Sequence, residues 1–131
     1  KALLAGEDIA ADALGNTANP NKIANPDNLK FSDKMRTLFI GEDGSTHINN
    51  FLWAFNVDTG KLSRILSVPA GAESTGLQAV ENLNGFTYIM SNYQHPGDFS
   101  SNIDPALKDR LKPLLDPHKG EVGYIGGIPS L

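Results

Sequence analysis

From Asp27 onwards the chain alternates short apolar runs with polar turns. The segments DNLKFS, MRTLFIGED, FLWAFNVD and KLSRILSVP are rich in strand-forming residues, and polar stretches at Ser32 to Lys34, Gly44 to Asn50 and Asp58-Thr59-Gly60 separate them. That spacing predicts a four-strand antiparallel meander. Side chains alternate between the two faces of a strand, so Leu29 and Phe31 share a face, while Leu52, Ala54 and Asn56 oppose Phe51, Trp53, Phe55 and Val57. The Val57 to Lys61 connection reads as a tight hairpin in which Gly60 supplies a positive φ.

The pattern then restarts. TGLQAVENL and GFTYIMSNY, joined at Asn84-Gly85, predict a second hairpin, and EVGYIGGI offers a third strand after a polar insertion from His95 to Lys119. Within the insertion, Asp104 and Pro105 are a suitable cap and first position for a helix running to about Arg110 or Leu111, before Pro113. Ahead of the first strand, Ala2 to Leu4 reads as a strand end, Glu7 to Leu14 as a short helix, and Asn16 to Pro26 as a loop punctuated by Asn and Pro.

The two halves match each other in strand length, apolar placement and turn position. Repeated four-strand sheets at this spacing mark the blades of a β-propeller, with an ordinary antiparallel sandwich as the competing arrangement. The expected fold is therefore all-β, a propeller fragment of antiparallel meander blades with a short helical insertion. Residues 1–26 form a connecting segment, 27–69 one four-stranded blade, and 74–131 a second, incomplete blade with its insertion at about 95–119. One blade and most of another do not close a ring of roughly four or more. Further chain completes it, or association stabilises the free edges, as a homo-oligomer or with the missing blades.

Composition narrows the function. At 131 residues with 40% hydrophobic and 20% charged side chains, the chain has the make-up of one globular domain. A net charge of −4 argues against nucleic acid, whose phosphates call for clustered Lys and Arg. No apolar run approaches the roughly 20 residues of a membrane-spanning helix. With no cysteine, any metal must be held by oxygen or imidazole.

Four loop clusters place such donors at strand ends. Asn25-Pro26-Asp27-Asn28 offers hard oxygen ligands of the kind calcium takes, and reads equally as an Asx turn. Gly41 to Asn50 holds Glu42, Asp43, His47 and two amides without EF-hand spacing, and His47 reads as a surface or hydrogen-bonding residue rather than a ligand. Gly71 to Gly76 sets Glu73 among small residues, which leave room for an ion or merely form the crossover between blades. In Gln94-His95-Pro96-Gly97-Asp98, His95 can serve as ligand, general acid or turn residue. Blade-end loops converge in a propeller, so Asp27, Asp43 and Glu73 are expected to meet. There is no Gly-rich phosphate loop, nucleophile elbow or zinc-type His pair.

The succession NPDNLKF, RTLFIGEDGSTHINNFLWAFNVDTGKLSRILSVPAGAESTGLQAV and YIMSNYQHPGD resembles the C-terminal part of the PhoX family of bacterial alkaline phosphatases, over roughly Leu3 to Asp98. The resemblance implies a propeller of exported, periplasmic or secreted proteins, with an axial site that binds calcium and iron and hydrolyses small phosphate monoesters. It suggests Glu73 as a carboxylate metal ligand, with Asp27, Asn28 and Asp43 as further candidates. The family's cluster also draws on a Cys and on acids from upstream blades, which these residues do not supply, so activity is expected of the full-length parent rather than of this portion alone. No Lys or Arg neighbours Glu73 in sequence, and the region from Phe99 onward departs from the family's pattern. The alternative reading is a non-catalytic, calcium-stabilised propeller that serves as a binding module.

Overall fold

The computed structural model describes residues 2–131. Its first sheet has strands β1 (Pro26–Ser32), β2 (Thr37–Glu42), β3 (Phe51–Asn56) and β4 (Leu62–Ser67), hydrogen-bonded in chain order. The second has β5 (Glu73–Leu83), β6 (Phe86–Gln94) and β7 (Glu121–Pro129), again in order. Every pairing is antiparallel. The structure is thus mostly β, as the alternation predicts, and the two sheets stand open rather than closed into a ring.

The turns follow from their residues. Asn84 and Gly85 have φ of 53° and 85°, the pair of positive values that a two-residue hairpin matched to strand twist demands. At the other hairpin, Asn56 Oδ1 accepts from the backbone N–H groups of Asp58 and Thr59 at 3.2 and 2.9 Å, and Gly60 takes φ 72°. Short polar side chains tolerate such bends because they satisfy the backbone locally.

The first sheet is apolar on both faces. Ile40, Phe51, Trp53 and Phe55 point one way and pack with Ile23, while Phe39 and Leu52 point the other and meet Leu77 and Ile89 of the second sheet. The predicted split of β3 into Leu52 and Ala54 against Phe51, Trp53 and Phe55 is therefore what packs two separate cores. Full burial of one such side chain contributes about 1.5–3 kcal/mol, so this two-sided strand holds the molecule together. Ser32 Oγ also donates to Glu81 Oε1, joining β1 to β5 across the interface.

The insertion builds a satellite core. Helix α1 (Pro105–Leu111) starts as expected, with Pro105 in the first turn and the Asp104 carboxylate accepting from Leu107 N–H at 2.8 Å. A single turn of tighter 3₁₀ helix, Lys112–Leu114, follows. Leu107, Leu111, Leu115 and Phe99 pack on buried Ile48, Ala70 and Ile103, which clamps the loops after β2 and β4 to the loop after β6.

The N-terminal segment departs from expectation. No helix forms over Glu7 to Leu14 and no strand over Ala2 to Leu4. The Asp12 carboxylate captures the N–H groups of Leu14, Gly15 and Asn16 at 2.9, 3.0 and 2.9 Å, donors a helix would send to carbonyls four residues back. The chain doubles back instead: Ile9 N–H donates to Thr17 C=O at 3.0 Å, and Asp8 bridges to Ala18. Helical spacing of small Ala residues lost to Asp and Asn, which bind the backbone in competing conformations.

Candidate metal centre

Three loops end at one place. Asp43 follows β2, Glu73 opens β5, and His95 follows β6. Glu73 pairs with Gln94 across the β5–β6 ladder, which sets His95 beside it. Gly41 brings the third residue in. A Cβ at position 41 would lie 2.2 Å from the Ser74 carbonyl oxygen, a distance no side chain tolerates, so only glycine lets β2 approach β5 closely enough to carry Asp43 towards Glu73.

One ligand atom each from Asp43, Glu73 and His95 falls within 4.8 Å of the others. His95 Nε2 lies 3.6 Å from Glu73 Oε2. His95 takes φ 41°, uncommon for a residue with a side chain, and its Nδ1 lies 3.1 Å from the Gly71 carbonyl oxygen. A carbonyl only accepts, so Nδ1 is the donor, and in the neutral ring Nε2 keeps its lone pair facing the carboxylates. Metal-binding histidines are oriented in this way, by a hydrogen bond from the other ring nitrogen.

Electrostatics at this centre set two acids against one imidazole, with no Lys or Arg among the three residues. Burial pushes the Glu73 carboxyl above the ordinary carboxylate range, the neighbouring Asp43 carboxylate raises it further, and His95 opposes both. Two carboxylates at this separation favour sharing a proton or a positive ion. The adjoining cavity, about 400 Å³, is lined by Asp43, His95, His47, Asp98 and the serines at 45, 100 and 101, and no Lys or Arg is among its described lining residues.

The donor set decides which metals it suits. Two carboxylates with an imidazole match first-row ions such as iron, manganese or zinc. Calcium, which takes six to eight oxygens, is poorly served by these three residues. The oxygen-only pair Asp27 and Asn28 would suit it better, yet Asp27 is exposed, takes a 2.7 Å hydrogen bond from Asn28 Nδ2, and is not in the three-residue group.

Glu42, one residue before Asp43, has a different task. It is fully buried, and Oε1 accepts from Ala24 N–H and Trp53 Nε1–H at 2.9 and 2.7 Å, while Oε2 accepts from Phe51 N–H and His47 Nδ1–H at 3.0 and 2.9 Å. His47 is accordingly a buried hydrogen-bonding residue, 2% exposed, rather than a surface one. Asn50 Nδ2 donates to Gly44 C=O and Ala72 C=O at 3.1 and 2.9 Å, tying the Asp43 loop to the loop that leads into Glu73. The sequence places Asn50 among the loop's candidate donors, whereas the structure buries it as a tie between loops, because an Asn in a polar loop carries no mark that it will be buried.

Gly41→Ala should separate the two sheets at this end alone. We expect a loss of about 1–3 kcal/mol in stability from overpacking against backbone and at least tenfold weaker manganese binding, followed by isothermal titration calorimetry. Unchanged affinity would show that Asp43 reaches the site without the close approach.

No protein-family model, curated protein or solved structure matches the chain, so the local geometry stands without a relative beside it.

Proposed function

We propose that Asp43, Glu73 and His95 hold a divalent transition-metal ion, iron by preference, in a metal-dependent phosphomonoesterase of PhoX type, and that the chain supplies part of that enzyme's propeller and metal cluster. The observation that carries the metal assignment is the convergence of three donors from three loops, with the imidazole orientation fixed by Gly71. The reaction class rests on the sequence resemblance, and with it come the exported location, a calcium requirement and a small phosphate ester as substrate. Calcium in this reading is held largely by residues outside the group of three, with Asp27 and Asn28 as oxygen donors.

Bound metal would supply positive charge to the phosphoryl oxygens. The chain's own contribution is positional: Gly71 holds the His95 ring, the β5–β6 ladder sets Glu73 against it, and the satellite core under α1 fixes the loops that form the cavity wall. Phosphate release from a chromogenic phosphate monoester, by the full natural polypeptide carrying this sequence and supplied with iron and calcium, tests the reading. Release that falls at least a hundredfold in Glu73→Gln is expected. No release with both metals present would overturn it.

One observation favours a second reading, a non-catalytic module that binds a cation for stability. The cavity beside the three donors has no Lys or Arg in its described lining to hold a phosphate. In that case chelation lowers the melting temperature while phosphate release stays absent under every metal condition.

A further inference from the structure

The cavity beside the three donors is acidic. Asp43 and Asp98 line it, Glu73 stands with Asp43 and His95, and no Lys or Arg is among its described lining residues. An anionic ligand held there needs positive charge from a metal on one side and from a protein cation on the other. The insertion between β6 and β7 brings one up behind the wall.

Ile48 and Phe99 line the cavity and also belong to the satellite core on which Leu107 and Leu111 of α1 pack. The helix is thereby fixed against the back of the cavity wall. Leu107 and Leu111 are four residues apart and share a helix face, which sets Lys108 beside that contact. Lys108 Nζ stands 6.0 Å from the centre of the Phe99 ring. Two further cation–aromatic pairs occur among the described residues, Arg36 with Phe31 and Arg64 with Phe51, and neither of those rings lines the cavity.

Lys108 is also uncommitted. It is exposed, and among the described residues it makes no salt bridge. The acid one turn back, Asp104, uses its carboxylate to cap the helix, accepting from Leu107 N–H at 2.8 Å. An aromatic face attracts an ammonium only weakly at an exposed site, which gives the long side chain a resting place without fixing it there. The wall adds a hydroxyl: Ser100 Oγ accepts from Asn102 N–H at 3.2 Å, which leaves its own O–H free to donate.

We propose that Lys108 is the anion-binding residue of this site, swinging from the Phe99 ring to the cavity mouth and, with the Ser100 hydroxyl, holding the oxygens of a phosphoryl group whose other side meets the metal. The inference rests on the metal-dependent reading above and goes beyond it by locating the positive charge that the lining lacks. Asp43, Glu73 and Asp98 repel an anion in the metal-free site, so phosphate binding depends on the metal being present.

Titration calorimetry of inorganic phosphate into the manganese-loaded full natural polypeptide carrying this sequence tests this. Low ionic strength suits it, because an exposed charge is screened beyond about 8 Å at physiological salt. Lys108→Gln is expected to weaken phosphate about tenfold or more, the scale of one charge-assisted hydrogen bond, with manganese affinity and melting temperature unchanged. Lys108→Arg should restore most of the affinity. Arg110→Gln, two positions along the same helix, should change nothing, which separates a local contact from the loss of one unit of net charge. Manganese binding without phosphate binding, or a phosphate affinity that Lys108→Gln and Arg110→Gln alter equally, would overturn the inference and leave the metal centre standing. Failure to bind manganese would overturn the metal reading itself, and this inference with it.

Discussion

Glu42→Ala is expected to cost about 4 kcal/mol, close to the whole stability of a marginal domain. The carboxylate is buried with four donors converging on it: the N–H groups of Ala24 and Phe51, Trp53 Nε1–H and His47 Nδ1–H. Removing the acceptor leaves those donors unpaired inside a cavity, and each buried donor without a partner costs about 1–3 kcal/mol. The loss is spread over three elements, because the bonds reach the N-terminal segment, β3 and the Asp43 loop together. Glu42→Gln should be milder, at about 2 kcal/mol, since one oxygen remains while the new amide group points donors at donors. Urea unfolding followed by tryptophan fluorescence reads both, Trp53 being the only tryptophan and a member of the cluster. With a slope of about 2 kcal/mol/M, the midpoint should fall by about 2 M for Glu42→Ala. A shift under about 0.5 M would mean that water enters and satisfies the donors.

The same residue shows where sequence reading stopped. Glu42 and Asp43 are adjacent acids in a polar loop, and nothing in their identity separates a buried structural carboxylate from an exposed ligand. Their difference comes from the pleat. Glu42 is the last residue of β2 and shares its face with Ile40, which turns it into the core, and Asp43 points the other way. The strands were legible because alternation and turn chemistry are local, and both hairpins and the helix cap fall where those signals place them. The helix read at Glu7 to Leu14 failed for an equally local reason, the Asp12 side chain, whose competing bonds a periodicity argument does not weigh.

His95 illustrates a non-local limit. Counting outward from the Asn84-Gly85 turn places Pro96 opposite Glu73. The ladder instead pairs Glu73 with Gln94, because two irregularities, between Thr75 and Gln78 and between Val80 and Leu83, shift the register. Those shifts depend on how β5 bends to follow the first sheet, which no single segment encodes. The Asp43 to Glu73 approach was expected from blade convergence, and Gly41 is the residue that permits it here. Asp27 stayed outside the group because β1 is an edge strand and presents that end to solvent.

Substituting any one of the three donors should abolish tight cation binding, with Glu73→Gln and His95→Ala each weakening manganese affinity by about a hundredfold, the scale that a ligand or its orienting partner commands. Glu73→Gln separates the site from the fold through its pH response. The folded-state pKa of Glu73 is raised above its unfolded value, by burial first and by Asp43 second. The folded chain therefore holds this proton more tightly than the unfolded chain does. That increment of stability is fully present below about pH 4, under the ordinary Glu value, and is lost as pH rises through the folded pKa. Above that window Glu73 and Asp43 repel each other in the metal-free protein, and Glu73→Gln should melt about 3 °C higher than the parent, the shift expected for about 1 kcal/mol in a domain of this size. Metal inverts the order: added manganese should raise the melting temperature of the parent once pH has risen through the folded pKa of Glu73, and leave the variant unmoved. Two parallel melting curves, each run with and without metal across pH 4 to 8, distinguish this from a carboxylate that is merely structural, because a structural Glu73 would lose stability on substitution at every pH and show no response to the ion.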